Sequence, residues 1–560
     1  MEFIDRLIGS ISLKVLILKG NFDIAKMKKN AKGARSINEK LLFKILNKNK
    51  NTEYGRKYNF ADIHTVEDFR RNVPIVEYDD LEEYVDRIYF KDEKNVLTKE
   101  RIVGYAKSSG SISKQKRIPK TKKEISVYDK YSVTRFLSLA NKYKRYKNGR
   151  GMKLRKGISL LLHDPTLSEL GVPSSNIVDL AEKRYRILEP FAIVLPLRRQ
   201  FEIGEIDENY AYARFGLEYK DLSFVFFVFA KGILEFIEYI RDNWQTIVKE
   251  IEEGTISESE KMDDEVRKKL LKVVKPNPIR AKELREEFEK GFDETIIHRI
   301  WPNLSVLSAI GTSPSFEGFV EQIKMYTKDI PFDYSYYAAS EGLMAASYEV
   351  DNIEQLLLSD SCYYEFVEEE DDDCKNILSL DELEVGKNYE IIITNQSGFY
   401  RYRIKDVIKV LGYYKDCPLI NFVYRKGQLL NIISEKTTVE HMNETMKRLS
   451  QRVGVEITDW AVTVEKGINR YRYAVYIENE NNKDLSMYSS DLDEILSEVN
   501  IAYGKYKFTI EKPKIYNQKH GTHKAWVRHK VNKGAPKGQV KPVRNLDNEE
   551  KYEFFSSRVF

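Results

Sequence analysis

Tyr400-Arg401-Tyr402-Arg403-Ile404-Lys405-Asp406-Val407-Ile408-Lys409-Val410 lies between two β-type runs. Tyr389-Glu390-Ile391-Ile392-Ile393-Thr394 enters it through the turn residues Asn395-Gln396-Ser397-Gly398, and the run from Val407 to Tyr414 leaves it. Short apolar runs bounded by turn residues predict strands. Asp406 therefore falls where a buried sheet resumes, and a carboxylate there is costly without a partner. Nearby arginines would make it half of a structural ion pair. A ligand's hydroxyls would make it part of a binding site. The stretch alone leaves both open.

The 560 residues have room for about three or four folding units. With 42% hydrophobic and 32% charged residues, the chain has ample material for several cores. Its 92 basic and 87 acidic residues leave a net charge of +5, too near balance to indicate a nucleic-acid binder. Cys362, Cys374 and Cys417 are odd in number and lack metal-ligand spacing, so reduced thiols are expected. Acids occur early in Met1 to Arg6, and Gly9, Ser10, Ser12 and Lys14 interrupt the apolar run that follows. This predicts an amphipathic helix packed on the body, not a secretory signal. No stretch reaches the ~20 apolar residues of a membrane span. The richest, Leu222 to Ile240, contains Lys231, Glu235 and Glu238 and reads as a buried helix. A cytoplasmic protein is the expectation, with no membrane partner and a monomeric state.

Helical periodicity marks Asn38 to Leu46, Val66 to Phe69 and Tyr78 to Ile88. The β-like run Ile102 to Ala106 leads into the polar segment Lys107 to Pro119, and a helix is expected from Lys122. Ile158 to Leu162 and Ser305 to Ile310 read as strands, with helices at 230–251, 262–273 and 280–290 between them. The acidic run Glu368 to Asp373 reads as a solvated hairpin tip, because six consecutive acids cannot converge on one ion from a regular element. From Thr437 the pattern is a helix (Val439 to Gln451), strands at Asp459 to Lys466 and Tyr471 to Glu478, a helix at Asp491 to Ala502, and a strand at Phe508 to Ile515. That order suits a small α/β module with its own core, reached through the polar segment Lys426 to Lys436.

Four constellations carry chemistry. Ser108 to Lys116 offers hydroxyls, exposed backbone N–H groups, a glycine at position 110 and a lysine, the composition of a phosphate-binding loop. It lacks the Gly-Lys-Ser/Thr ending of nucleotide triphosphatases, and a plain surface loop has the same composition. In Tyr337-Ala338-Ala339-Ser340-Glu341 an aromatic ring can cover a purine while the carboxylate holds a hard cation such as Mg²⁺, although core tyrosines explain the pattern equally well. Asp406, with Arg425 nineteen positions later, can accept hydrogen bonds from both vicinal hydroxyls of a ribose. Lys519 to Arg544 holds eight Lys/Arg and no acid, which reads as a solvated or anion-attracting surface. The chain has no His-Glu-x-x-His, Gly-x-Ser-x-Gly, Cys-x-x-Cys or Gly-x-Gly-x-x-Gly pattern, so hydrolase, zinc and redox readings lack support.

In this order, Ser108-Ser109-Gly110-Ser111, Tyr337 to Glu341 and Tyr400 to Val407 resemble the three nucleotide-binding motifs of the auxin-responsive Gretchen Hagen family of acyl-acid amido synthetases, which are acyl-adenylate-forming enzymes. Asn51 to Arg56, Val73-Pro74-Ile75, Ile300 to Asn303, Ser434 to Thr437, Asn500 to Tyr503 and Gln539-Val540-Lys541 also resemble family segments, so the likeness runs from about residue 40 to 545.

The resemblance implies an α/β protein: a large N-terminal adenylate-forming domain (1–425) with β-sheets packed by helices, a hinge (426–436) and a small mobile C-terminal α/β lid (437–560). It implies ATP and Mg²⁺, with small-molecule carboxylic acid and amine or amino acid substrates. By motif, Ser108, Ser109, Gly110, Ser111 and Lys116 would meet the phosphates. Tyr337 and Ser340 would lie by the nucleotide, and Glu341 would bind Mg²⁺. Asp406, with Arg425, would hold the ribose, and Lys436 and Lys541 would complete the site, Lys541 near the α-phosphate. Two departures stand out: Ser111-Ile112-Ser113-Lys114 lacks the family's Thr-Thr-x-Gly continuation, and Lys405 replaces the usual glycine before the aspartate. The alternative readings are transfer of the acyl group to a thiol (coenzyme A or a carrier protein) and, from another class, RNA binding by the basic C-terminal surface.

Overall fold

The structure is a computed structural model of the whole chain. It describes residues 2–560 except 108–115, 149–155, 160–165, 169, 176–179, 181–192, 196–205, 259, 261, 313, 427–429, 431, 433–434, 436, 469, 508–509 and 536–539.

The opening stretch lies within the largest sheet. Seven antiparallel strands run in the spatial order Tyr363–Glu368, Asn388–Thr394, Tyr402–Tyr414, Cys417–Arg425, Gln355–Leu357, Gly342–Ala346 and Tyr336–Ala339. One face of this sheet, the early helices Ala34–Asn49 and Tyr78–Lys91, and the strand Ile102–Lys107 share one apolar core.

A second core surrounds four parallel strands in the order Ile158–Ser159, Phe224–Phe229, Val306–Ile310 and Phe332–Asp333. Leu222 to Ile240, expected as one buried helix, is therefore split. Phe224–Phe229 is a central strand and the helix begins at Ala230, running to Glu253. An unbroken apolar run lacks the alternation that distinguishes a strand buried on both faces from a buried helix. A bidentate ion pair lies inside this region: Arg135 donates to both oxygens of Asp333 at 2.9 Å, with both side chains fully buried.

The C-terminal part has its own cores. Ile457–Lys466 pairs antiparallel with Tyr471–Asn479, which runs parallel to Lys514–Gln518. The strand expected at 508–515 thus begins later, and its first two residues lie outside the described set. The helix expected at 491–502 is two, Ser489–Val499 and Ile501–Tyr506. Asn500 divides them because its side chain caps the second through Tyr503 N at 3.1 Å, and its amide donates to Glu435 O and Thr437 Oγ1 at 3.0 Å. The segment linking the two parts thereby gains an anchor, and Leu430 already packs in the C-terminal core.

The acidic run starts the connection between the antiparallel strands Tyr363–Glu368 and Asn388–Thr394, with Asp372 and Asp373 exposed as expected of a hairpin tip, and it also has partners. Glu369 accepts from the Tyr424 hydroxyl and, at 2.9 Å, from Asn388 Nδ2. Asp372 meets Lys426 Nζ at 2.8 Å, and the same ammonium lies 3.0 Å from buried Glu390. The run holds the residue where the linking segment starts. Consecutive acids gave no hint of a cation that lies more than fifty positions away.

Candidate active site

Asp406 sits on a local distortion of its strand. Between Arg403 and Val407 the strand Tyr402–Tyr414 carries two more residues than its neighbour Asn388–Thr394, since Arg403 faces Ile392 and Val407 faces Glu390. Lys405 absorbs the excess at φ +68°, a left-handed conformation that glycine adopts without strain. Asp406, Val407 and Ile408 are consequently buried in succession, where a regular strand would alternate. The Lys405 carbonyl accepts Lys426 N at 2.7 Å and its ammonium reaches Glu77 at 2.7 Å. Glycine at this place in the motif is a backbone requirement, and Lys405 meets it under strain.

Asp406 is 1% exposed and partnered on both oxygens. Arg425, its cross-strand neighbour, donates Nε to Oδ1 at 2.5 Å. The Tyr337 hydroxyl donates to Oδ2 at 2.8 Å. Burial and then Asp406 push Tyr337 well above the usual phenol range, so it stays a donor. Burial opposes the charge on Arg425, yet Asp406 holds its pKa raised. Each carboxylate oxygen keeps a second acceptor direction, and the Arg425 side chain remains 37% exposed, so this ion pair leaves capacity for a ligand. Tyr337 packs against the Phe422 ring at 5.6 Å.

Glu341 occupies the turn between Tyr336–Ala339 and Gly342–Ala346 and is 4% exposed. Asn395 Nδ2 donates to its carbonyl at 2.9 Å, and the Tyr402 hydroxyl reaches its Oε1 at 3.4 Å. Lys116 Nζ lies 3.3 Å from the same hydroxyl and over the Tyr78 and Tyr402 rings. Among the described residues the Glu341 carboxylate has no ion-pair partner, and no group of three or more potential metal ligands occurs. One buried carboxylate is nonetheless the donor set that Mg²⁺ uses when substrate phosphates and water complete its shell.

Lys541 comes from the C-terminal part. The residue keeps accessible surface, while the protein crowding its ammonium lowers its pKa. Arg425 lowers it further, and Asp406 and Glu341 act to raise it. The structure thus brings Lys541, Asp406, Arg425, Glu341, Tyr337 and Lys116 to one place, with Ser340 beside Glu341. Ser108, Ser109, Gly110, Ser111 and Lys436 lie outside the described residues.

Sequence reasoning read Asn395 to Gly398 only as a turn. The turn is a hub. Asn395 Oδ1 accepts Ser397 N at 3.0 Å and Phe399 N at 3.1 Å, while its amide holds Glu341. Ser397 Oγ accepts Thr121 N at 3.1 Å and donates to Glu124, whose other oxygen meets buried Lys120. Gly398, at φ +102°, passes so close to Leu97 that a Cβ would lie 2.7 Å from the Leu97 Cβ. The turn couples the helix that follows the serine-rich loop to Glu341. A buried Lys-Glu pair at spacing four was the available signal.

The chain matches the GH3 family N-terminal domain over residues 23–332, the GH3 family central domain over 355–425 and the GH3 family C-terminal domain over 438–550. It is 25% identical over 467 residues to an indole-3-acetic acid-amido synthetase of Arabidopsis thaliana, GH3.2, covering 79% of this chain and 84% of that one. It is 24% identical over 490 residues to a 4-substituted benzoates-glutamate ligase of the same plant, GH3.12, covering 82% of each. In fold it resembles a GH3.15 acyl acid amido synthetase, with a TM-score of 0.82 at 21% identity over 96% of both chains. It also resembles a 2-hydroxyisobutyryl-CoA ligase in the postadenylation state, with a TM-score of 0.52 at 12% identity over 94% of this chain and 91% of that one.

Proposed function

The chain belongs to the GH3 family, and we propose that it is an ATP-dependent acyl-acid amido synthetase, joining a carboxylic acid to an amine through an acyl-adenylate. The observation that carries the reading is the carboxylate of Asp406, held by Arg425 and Tyr337 and facing Glu341 and Lys541. In the first step the acid's oxygen bonds to the α-phosphorus of ATP, and the bond from that phosphorus to the bridging oxygen breaks with release of pyrophosphate. Charge grows on the phosphate oxygens, where Lys541 stabilises it. Asp406 accepts hydrogen bonds from the ribose hydroxyls, while Arg425 and Tyr337 fix its orientation. Glu341 would hold Mg²⁺, which when bound neutralises phosphate charge. In the second step the amine bonds to the activated carbonyl, its proton leaves, and AMP departs. An amino acid as the amine is supported by the name of the relative that is a benzoates-glutamate ligase. We take 1–425 as the body, 426–436 as the hinge and 437–560 as the lid that turns between steps.

A screen of carboxylic acids for stimulated ATP–pyrophosphate exchange tests the first step, and the mass of the product formed with an amino acid pool tests the second. Exchange with at least one acid and an amide product are expected. A thioester formed in preference to an amide would overturn the assignment of the acceptor.

A further inference from the structure

Lys541 enters the site on a segment held three residues further on. Arg544 donates Nη1 to Trp460 O at 2.7 Å and to the Asp459 carboxylate, and its guanidinium lies 4.7 Å from the Trp460 ring. The backbone is tied at the same place: Val462 N donates to Arg544 O and Leu546 N to Val462 O, each at 2.9 Å. Asp459 is buried, and His523 Nδ1 lies 3.4 Å from its other oxygen.

The opposite wall of this polar cluster belongs to the large domain. Helix Ala230–Glu253 starts directly after the central parallel strand Phe224–Phe229; Lys231 in its first turn lies 3.9 Å from Glu235 of the same helix, and its charge reaches Asp459 and His523 across the boundary. Glu238, two turns along the same helix, meets Lys524 of the helix Thr522–Asn532 at 3.1 Å. Positions 231 and 238 share a helix face, so the Glu238–Lys524 ion pair and the charge of Lys231 on Asp459 act from the same side of the helix on the C-terminal part. Burial pushes the Asp459 carboxyl up, but Arg544 first, then His523 and Lys231, hold it well below the usual carboxylate range. The cluster is not fully satisfied. Among the described residues, His523 Nε2 and Arg544 Nε are buried without a hydrogen-bond partner. A permanent core contact would be expected to satisfy both, whereas a contact that opens during turnover can carry such a deficit.

We propose that Lys231 and Glu238 form a latch that holds the lid in the orientation where Lys541 faces Asp406 and Glu341, with Asp459–Arg544 the positioning pair through which the latch acts on Lys541. The proposal rests on the function above, because only a two-step reaction requires the lid to leave. The latch favours adenylation and must open before the amine attacks. Lys231 and Glu238 are positioning residues. They act through the lid segment and not on substrate.

The test separates the half-reactions in the full-length protein. Lys231→Ala combined with Glu238→Gln should lower acid-dependent ATP–pyrophosphate exchange about five- to tenfold. Amide formation from a chemically prepared acyl-adenylate and an amino acid should stay at the wild-type rate or rise. Lys231→Arg alone should restore most of the exchange. Equal losses in both half-reactions, or no loss in exchange, would overturn the latch. Hydrogen exchange gives a readout independent of activity: amides at 459–462 and 522–527 should exchange faster in the double variant, and unchanged protection there would also overturn it. Failure of the functional reading looks different, since the wild-type protein itself would then show no exchange with any acid.

Discussion

Lys405 bears a four-carbon side chain at a backbone angle, φ +68°, that costs a residue with a Cβ roughly 1–2 kcal/mol. Its ion pair with Glu77 joins two half-exposed side chains and returns roughly 0–1 kcal/mol. Lys405→Gly should therefore leave stability within about 1 kcal/mol of the wild type, on the favourable side, and preserve exchange activity. Lys405→Val should be clearly less stable, because a β-branched residue tolerates this angle poorly. Urea midpoints of the three proteins decide the matter. His523 is the second residue whose backbone and burial fix its behaviour. Packed against Phe555 and faced by Asp459, Arg544 and Lys231, it is pushed by burial down to about 3. Between pH 6.5 and 3 the unfolded chain takes up a proton that the folded protein refuses, so stability falls as pH falls through that window. The loss is on the order of 1 kcal/mol per pH unit, and His523→Gln should flatten it. Urea titrations at pH 7.5, 6 and 5 measure the slope. A parallel slope in the variant would show that His523 is not its source.

Strands and helices differ in how much of them the sequence revealed. Val66–Asn72, Tyr78–Lys91 and Val439–Val453 follow an apolar spacing that one chain segment carries by itself, and they occur where the spacing places them. Phe224–Phe229 does not, because burial on both faces erases alternation; the acidic run does lie at an exposed hairpin connection, but its ion pair with Lys426 was hidden because that partner lies far along the chain. Within the site, the Asp406–Arg425 pairing was legible, since two strands joined by a tight turn bring positions nineteen apart into register. The hydroxyl of Tyr337 on Asp406 was not, for it depends on Tyr336–Ala339 and Tyr402–Tyr414 belonging to one sheet, with Gly342–Ala346, Gln355–Leu357 and Cys417–Arg425 between them. The hub at Asn395 to Gly398 was likewise hidden, because turn residues signal a direction change and not what the turn touches. Ser397→Ala tests it as an element. Removing the hydroxyl leaves the Thr121 N–H and the Glu124 carboxylate short of a buried partner, at a cost of about 1–3 kcal/mol. Thermal or urea unfolding measures that loss, and a change below about 0.5 kcal/mol would show that the coupling is slack.

At the scale of the molecule, the seven-stranded sheet and the C-terminal module meet where Asp406, Glu341 and Lys541 lie. Lys530 and Lys533 meet Glu550, Lys524 meets Glu238, and Arg544 meets Asp459, so much of the basic run between 519 and 544 has internal partners. That arrangement disfavours a broad RNA-binding surface, which needs free cations to give its steep dependence on salt. It favours a segment whose charges set the position of Lys541. The role proposed for Asp406 is to hold the nucleotide while an acid is activated. The most direct measurement is acid-stimulated ATP–pyrophosphate exchange in wild type, Asp406→Ala and Lys541→Ala, with folding verified by circular dichroism. Losing a preorganised charge of this kind should lower exchange on the order of 10²–10³-fold in each variant, with the KM for ATP raised in Asp406→Ala. Wild-type exchange and an unchanged KM in Asp406→Ala would contradict that role.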